Sequence, residues 1–241
     1  MTDDAARAKQ PATRGYAICT SARSGSNLFC QYLASTGVLG YPLEYFNAVG
    51  RRLLGYPDFP DTPERQIDWI LSTGATPNGI FGLKILPVQF DKVATSIRWT
   101  QLLPNVQFVL LERRDRLGQA ISAHRAEQTQ QWRASLAAQR EATYDSGQIY
   151  ERLVALARDY ARWSVYFARN GIAPTVIVYE DLVADPQRAV DQVARLFGLE
   201  GETRIDHRQV DLTIQRDATT EEWRARFRDE YRNCDALDPL R

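Results

Sequence analysis

The sequence predicts an α/β fold in a single domain, a parallel β-sheet flanked by helices on both faces, and three observations carry that expectation. Short apolar runs alternate with amphipathic helical stretches along the 241 residues, the order that a parallel sheet with crossover helices requires. One run, Val106 to Glu112, is apolar almost without interruption, as a strand buried on both faces would be. The first run passes through a turn of small residues directly into a helix, which presents backbone N–H groups and the positive end of a helix dipole to an anion.

Residues 1–14 are polar and lack the apolar core of a signal peptide, so a loose tail is expected ahead of a domain spanning 15–241. The first strand runs from about Gly15 to Thr20. The helix after it, Ser26 to Ser35, is apolar at Leu28, Phe29, Tyr32 and Leu33 and is stopped by Gly37. Gly40 to Asn47 mixes turn residues, aromatics and Glu44 with no period, which reads as a loop lining a site. Gly50 to Asp61 is rich in Gly, Pro and Asp and reads as a loop, and Thr62-Pro63 opens a helix to about Thr73.

The second strand, Asn78 to Pro87, is closed by its proline, and a short helix separates it from the third, Val106 to Glu112. Asp115 caps a long helix expected to continue to about Leu136. Ser146 to Asn170 is another helix, with an apolar stripe at Leu153, Leu156, Tyr160, Trp163 and Phe167, ended by Gly171. A fourth strand, Thr175 to Tyr179, precedes a helix from the Asp185-Pro186 cap to Phe197. Thr220 caps a final helix from Glu221 to Tyr231.

Composition excludes several classes of function. With 44% hydrophobic and 25% charged residues and a formal net charge of zero, the chain has the profile of an ordinary globular protein and lacks the positive excess of a general nucleic-acid or anionic-membrane binder. No apolar run approaches the ~20 residues of a membrane-spanning helix. Cys19, Cys30 and Cys234 are odd in number and without metal-ligand spacing, and His124 and His207 are the only histidines. Neither a metal centre nor a disulfide framework is expected, and a reducing, cytoplasmic setting is.

Chemistry gathers at the ends of the strands, where ligands bind in such folds. Ser21 to Ser26 forms the turn, with Arg23 as a fixed positive charge. A nucleoside-triphosphatase loop would place Gly-Lys-[Ser/Thr] here, but Arg23 precedes Gly25 and no lysine follows, which disfavours Mg-ATP. The third strand delivers Arg113 and Arg114 to the same edge, with Ser122 on the helix behind them. Arg113 and Ser122 can both face a phosphate there.

Three stretches resemble the sulfotransferases that use 3′-phosphoadenylyl sulfate (PAPS). Arg23-Ser24-Gly25-Ser26-Asn27 is similar to their 5′-phosphosulfate loop, a strand-end arginine with Ser122 to their 3′-phosphate site (Arg113 and Arg114 both match, and Arg113 is favoured), and Tyr179 to Val190 with Leu196 to Leu199 to a shared structural stretch. The segments Gly40 to Phe46, Thr76 to Lys84, Gln119 to Ser122 and Glu221 to Arg224 are similar to the bacterial branch typified by trehalose 2-sulfotransferase. The resemblance implies a P-loop-like sulfotransferase domain with PAPS as donor, PAP as product and no metal, acting on a sugar or glycolipid hydroxyl.

It also implies Glu44 as the base, with Lys84 contacting the sulfonate, Gln215 and Arg216 contacting the donor, and Tyr41, Tyr45 and Phe46 beside the acceptor. The aromatic neighbours are expected to raise the Glu44 carboxyl by desolvation. Where the trehalose-acting pattern carries an acidic residue this chain has Tyr41, which stacks on a sugar or lipid but does not accept in the same way, so the acceptor stays open. A homodimer is also left open. The competing readings are a P-loop small-molecule kinase and a non-catalytic nucleotide-binding protein of the same fold.

Overall fold

The computed structural model describes residues 12–132, 139–212 and 218–232. In chain order the elements are β1 (Arg14–Cys19), α1 (Ser26–Ser35), α2 (Ala48–Leu53), α3 (Pro63–Ser72), β2 (Ile80–Ile85), α4 (Pro87–Ala94), α5 (Trp99–Leu102), β3 (Val106–Glu112), α6 (Arg116–Thr129), α7 (Ser146–Asn170), β4 (Thr175–Val178), α8 (Tyr179–Ala184), α9 (Pro186–Arg195) and α10 (Ala218–Glu230). The four strands form one parallel sheet in the order β2-β1-β3-β4. From β1 the chain moves to one side for β2 and to the other for β3, so the order reverses at β1. A crevice opens beyond its carboxyl end.

Side chains of β1 alternate between two cores, as the period of a strand requires. Tyr16 and Ile18 join α1, α8 and α9 on one face, through Phe29, Leu33, Leu182, Val190 and Val193. Ala17 and Cys19 join α3, α5 and α7 on the other, through Ile70, Trp99, Trp163 and Phe167. Register places Lys84 beside Ile18 and Leu110 beside Cys19. Lys84, the turn after β1 and the end of β3 therefore reach one edge of the sheet together.

Four local expectations are corrected. The residues read as a loop begin instead with a short helix, α2, whose cap is the Asn47 side chain accepting from the Gly50 N–H at 3.0 Å. Helix α6 stops at Thr129 rather than near 136, because Gln130 adopts a left-handed backbone with φ 55° and its side chain donates to the Glu127 carbonyl. Strand β4 ends at Val178 because Tyr179 already opens α8, whose Glu180 accepts from the backbone N–H groups of Arg114 (3.0 Å) and Asp115 (3.1 Å). Helix α10 already includes Ala218, so Thr220 lies within the helix as an acceptor for Arg125 at 2.9 Å rather than at its cap.

Candidate active site

The turn between β1 and α1 is held from below by strand β3 and helices α6 and α7. The Thr20 hydroxyl donates to the Leu111 carbonyl (2.8 Å) and lies 2.7 Å from the Ser24 hydroxyl, while the Trp163 indole donates to the Thr20 carbonyl at 3.0 Å. From α7 Asp159 accepts from the Ser21 hydroxyl at 2.7 Å, and from α6 the fully buried Gln119 donates to the Ala22 carbonyl at 2.6 Å. Ser24 is a buried part of this scaffold. Ser26 opens α1, whose first turn lines the crevice with Ser26 and Asn27 and whose first N–H groups have no partners within the helix.

Two successive departures from ordinary backbone shape the turn. Arg23 is left-handed at φ 59° and Gly25 at φ 85°, a conformation that an L side chain adopts at a cost of about 1–3 kcal/mol. Gly25 is required for a second reason, since a Cβ there would lie 2.2 Å from the Tyr179 ring. The strained Arg23 sends its guanidinium across the crevice, where Nε donates to the Ser122 hydroxyl at 3.0 Å and Nη1 to the Trp132 carbonyl at 2.7 Å. Arg23 of the turn and Ser122, which sequence reasoning placed in two different phosphate sites, thus meet in space.

Arg113 comes up from the end of β3 over the Tyr179 ring, 4.9 Å from its centroid, with Nη1 donating to the Arg23 carbonyl and Nη2 facing Asp115, both at 3.4 Å. Its Nε is buried without a hydrogen-bond partner. Burial and then the charge of Arg113 hold the Arg23 guanidinium below its usual pKa. Two like charges meeting in a crevice, one with an orphaned donor, are an electrostatic demand for an anion. Arg114 lines the first cavity as well, but its Nη1 and Nη2 are engaged by Asp181 at 3.0 and 2.6 Å, whereas Arg113 keeps an unpartnered Nε.

Arg23 is the wall between two cavities. One, of about 860 Å³, is lined by Arg113, Ser122, Arg125, Arg224 and Arg228, with Asp115 among them. Asp115 caps α6 through the Gly118 N–H at 2.9 Å and pairs with Arg224 at 2.9 Å. Burial works against its ionised form, but the Gly118 bond and the two arginines outweigh it and lower its pKa. Sequence reasoning missed Arg125 and Arg228; their only signal was their position on one face of α6 and α10, elements whose packing no local pattern reveals. Gln215 and Arg216 lie outside the described residues.

The other cavity, of about 500 Å³, holds Ser26, Asn27, Glu44 and Lys84 beside Arg23. Lys84 is nearly inaccessible, with its Nζ 2.6 Å from Glu44 Oε1 and 2.5 Å from Asn27 Oδ1. Glu44 Oε2 accepts from Asn47 at 2.9 Å and from Gln89 at 2.8 Å. Burial pushes the Glu44 carboxyl up, but the Lys84 charge and the bonds from Lys84, Asn47 and Gln89 prevail and bring it down to about 2. The expected rise is therefore corrected. The aromatic residues that were to cause it face elsewhere, Tyr45 and Phe46 being packed in the second core.

That burial also removes Tyr45 and Phe46 from contact with an acceptor: Tyr45 stacks near Phe59 and donates its hydroxyl to the Tyr41 carbonyl at 2.8 Å, and Phe46 packs on Trp99. Tyr41 is exposed but does not line the cavity. Asn47 belongs to the loop expected to line a site, whereas Gln89 and Trp132, which also line it, were not anticipated, because they come from two other stretches of sequence.

Comparisons with known proteins agree with this geometry. The profile of the Stf0 sulphotransferase family matches residues 15–230. The chain is similar to the trehalose 2-sulfotransferase of Mycolicibacterium smegmatis, at 29% identity over 88% of this chain and 94% of that protein. It is also similar to the trehalose 2-sulfotransferase of Mycobacterium tuberculosis, at 31% identity over 70% and 78%. Among solved structures a sulfotransferase from Alicyclobacillus acidocaldarius superposes with a TM-score of 0.51 at 15% identity, over 92% of both chains, a likeness of fold. The profile spans both cavities and the turn that divides them, and on that ground the chain belongs to the Stf0 sulphotransferase family.

Proposed function

We propose that the protein transfers the sulfuryl group of PAPS to a hydroxyl of a carbohydrate or glycolipid. The observation that carries this reading is the placement of Arg23 between an arginine-lined cavity and a cavity floored by the Glu44–Lys84 pair. The residues fit the donor: the orphaned Arg113 Nε, the Ser122 hydroxyl and the first N–H groups of α1 are donors arranged for two separated anionic groups. PAPS supplies an activated sulfuryl group on a phosphate leaving group.

In this reading Arg113 and Ser122 hold the 3′-phosphate, while Arg23, Ser26, Asn27 and the N-terminus of α1 hold the phosphosulfate. The arginines neutralise charge that grows on the leaving phosphate, and Lys84 faces the sulfonate oxygens. Glu44 takes the proton of the attacking hydroxyl. A carboxylate held near 2 is a weak base, so it accepts that proton only as bonding to sulfur makes the attacking oxygen acidic.

The test is kcat of wild type and Glu44→Gln at saturating PAPS over a panel of hydroxyl acceptors. Turnover is expected to fall by roughly 10² to 10⁴ with PAP affinity unchanged. Near-normal turnover in the variant would remove Glu44 as the base. A protein stabilised by Mg-ATP and not by PAP in a thermal-shift assay would overturn the donor assignment.

A further inference from the structure

Resting on the transfer reading above, we propose that the acceptor is amphiphilic: a hydroxyl-bearing head that reaches Glu44, joined to an apolar body that lies along α2 and Trp132. The cavity with Glu44 at its floor has an apolar rim. Val49 and Leu53 of α2 are 68% and 82% exposed, and Trp132, on the facing wall, is 42% exposed. Leu54 and Leu86 extend the same surface. Val49, Leu53, Leu54, Leu86 and Trp132 line the same cavity as Glu44, so the apolar surface belongs to that cavity rather than to a separate face of the protein.

The polar groups of that cavity point to the same conclusion, because they are largely engaged by one another. Asn47 accepts from Gly50 at one end of its amide and donates to Glu44 at the other. Gln89 accepts from the Leu86 N–H at 3.1 Å and donates to Glu44. Asn27 accepts from Lys84. A free polyol entering this space would surrender water at many hydroxyls and find few partners in exchange, whereas an alkyl or aromatic group gains from leaving water. The backbone of Trp132 is anchored by its carbonyl, which accepts from Arg23 at 2.7 Å. The apolar wall and the cation that divides the two cavities are thereby one unit.

The experiment compares kcat/KM for matched methyl and octyl glycosides of glucose, galactose and mannose, each below its micelle concentration, with PAPS and a readout of PAP release. The octyl member of at least one pair is expected to be preferred by roughly thirty-fold or more. In the Val49→Glu/Leu53→Glu variant, which alters only exposed side chains, that ratio is expected to collapse to below about three-fold. Transfer to glycosides with equal kcat/KM for methyl and octyl members, or a preference that survives the variant, would overturn this inference and leave the transfer reading standing. No PAP release with any glycoside would overturn the transfer reading and this inference with it.

Discussion

Replacing Lys84 with methionine tests the electrostatics at the centre of the site. The Nζ is 2.6 Å from Glu44 Oε1 and its side chain is 4% exposed, against 20% for Glu44. The carboxyl stands at about 2 instead of 4.5, a difference that corresponds to about 3 kcal/mol at ~1.36 kcal/mol per unit. Because this folded-state pKa is depressed, the stabilisation is complete above the unfolded value of 4.5 and is lost as pH falls toward 2. Without Lys84 the desolvation that already opposes ionisation loses its main counterweight, and the Glu44 carboxyl moves upward.

Lys84→Met is therefore expected to cost roughly 3–5 kcal/mol at pH 7, the range for a buried ion pair broken from one side. That cost should shrink as pH is lowered through the carboxylate range, because the stranded Glu44 can then take up a proton. Adding Glu44→Gln to Lys84→Met removes the stranded charge, so the double variant should be more stable than the single one. Urea denaturation followed by circular dichroism at pH 7, 5.5 and 4.5, for wild type, both single variants and the double variant, gives the coupling directly. A coupling below about 0.5 kcal/mol at pH 7, or a Lys84→Met cost that does not change with pH, would refute this account of the pair.

The two strand-end arginines should part company: Arg113→Ala is expected to weaken PAP binding more than roughly ten-fold, consistent with charge-assisted bonds of about 1.5–3 kcal/mol, and Arg114→Ala by less than about two-fold. Calorimetric titration with PAP measures both. Gly25→Ala forces a Cβ into the Tyr179 ring in a left-handed backbone, and should destabilise the protein by at least roughly 2 kcal/mol, read as a lowered Tm, with loss of PAP binding in whatever remains folded. The acid limb of kcat/KM should show no carboxylate titration above about pH 4 in the free enzyme, since Glu44 is held near 2; a limb near pH 6 would place another group in control. Turnover is expected to survive exhaustive chelation, because Arg23, Arg113 and Lys84 already supply cations to the two cavities; loss rescued by magnesium would favour the kinase chemistry.

The sequence by itself determined what is local. Each strand is short, and the helices carry their own caps: Asp115, Asp145 and Asp185 accept from Gly118, Gln148 and Arg188. The order of apolar runs and amphipathic stretches therefore specified a parallel sheet with covering helices. The Arg23 turn was legible for the same reason, since residues 20–27 are contiguous. Tertiary structure decided everything that depends on which distant stretches meet. Lys84 and Glu44 are 40 positions apart in sequence, yet sit 2.6 Å apart in the fold, so sequence neighbours predicted an aromatic, raised carboxyl where a buried cation produces a lowered one. Arg113 and Arg114 are adjacent and chemically identical. Only the fold gives them different partners, Asp181 for Arg114 and the Tyr179 ring with an unpartnered Nε for Arg113, because the partner each side chain meets at a strand end is set by packing rather than by the strand itself.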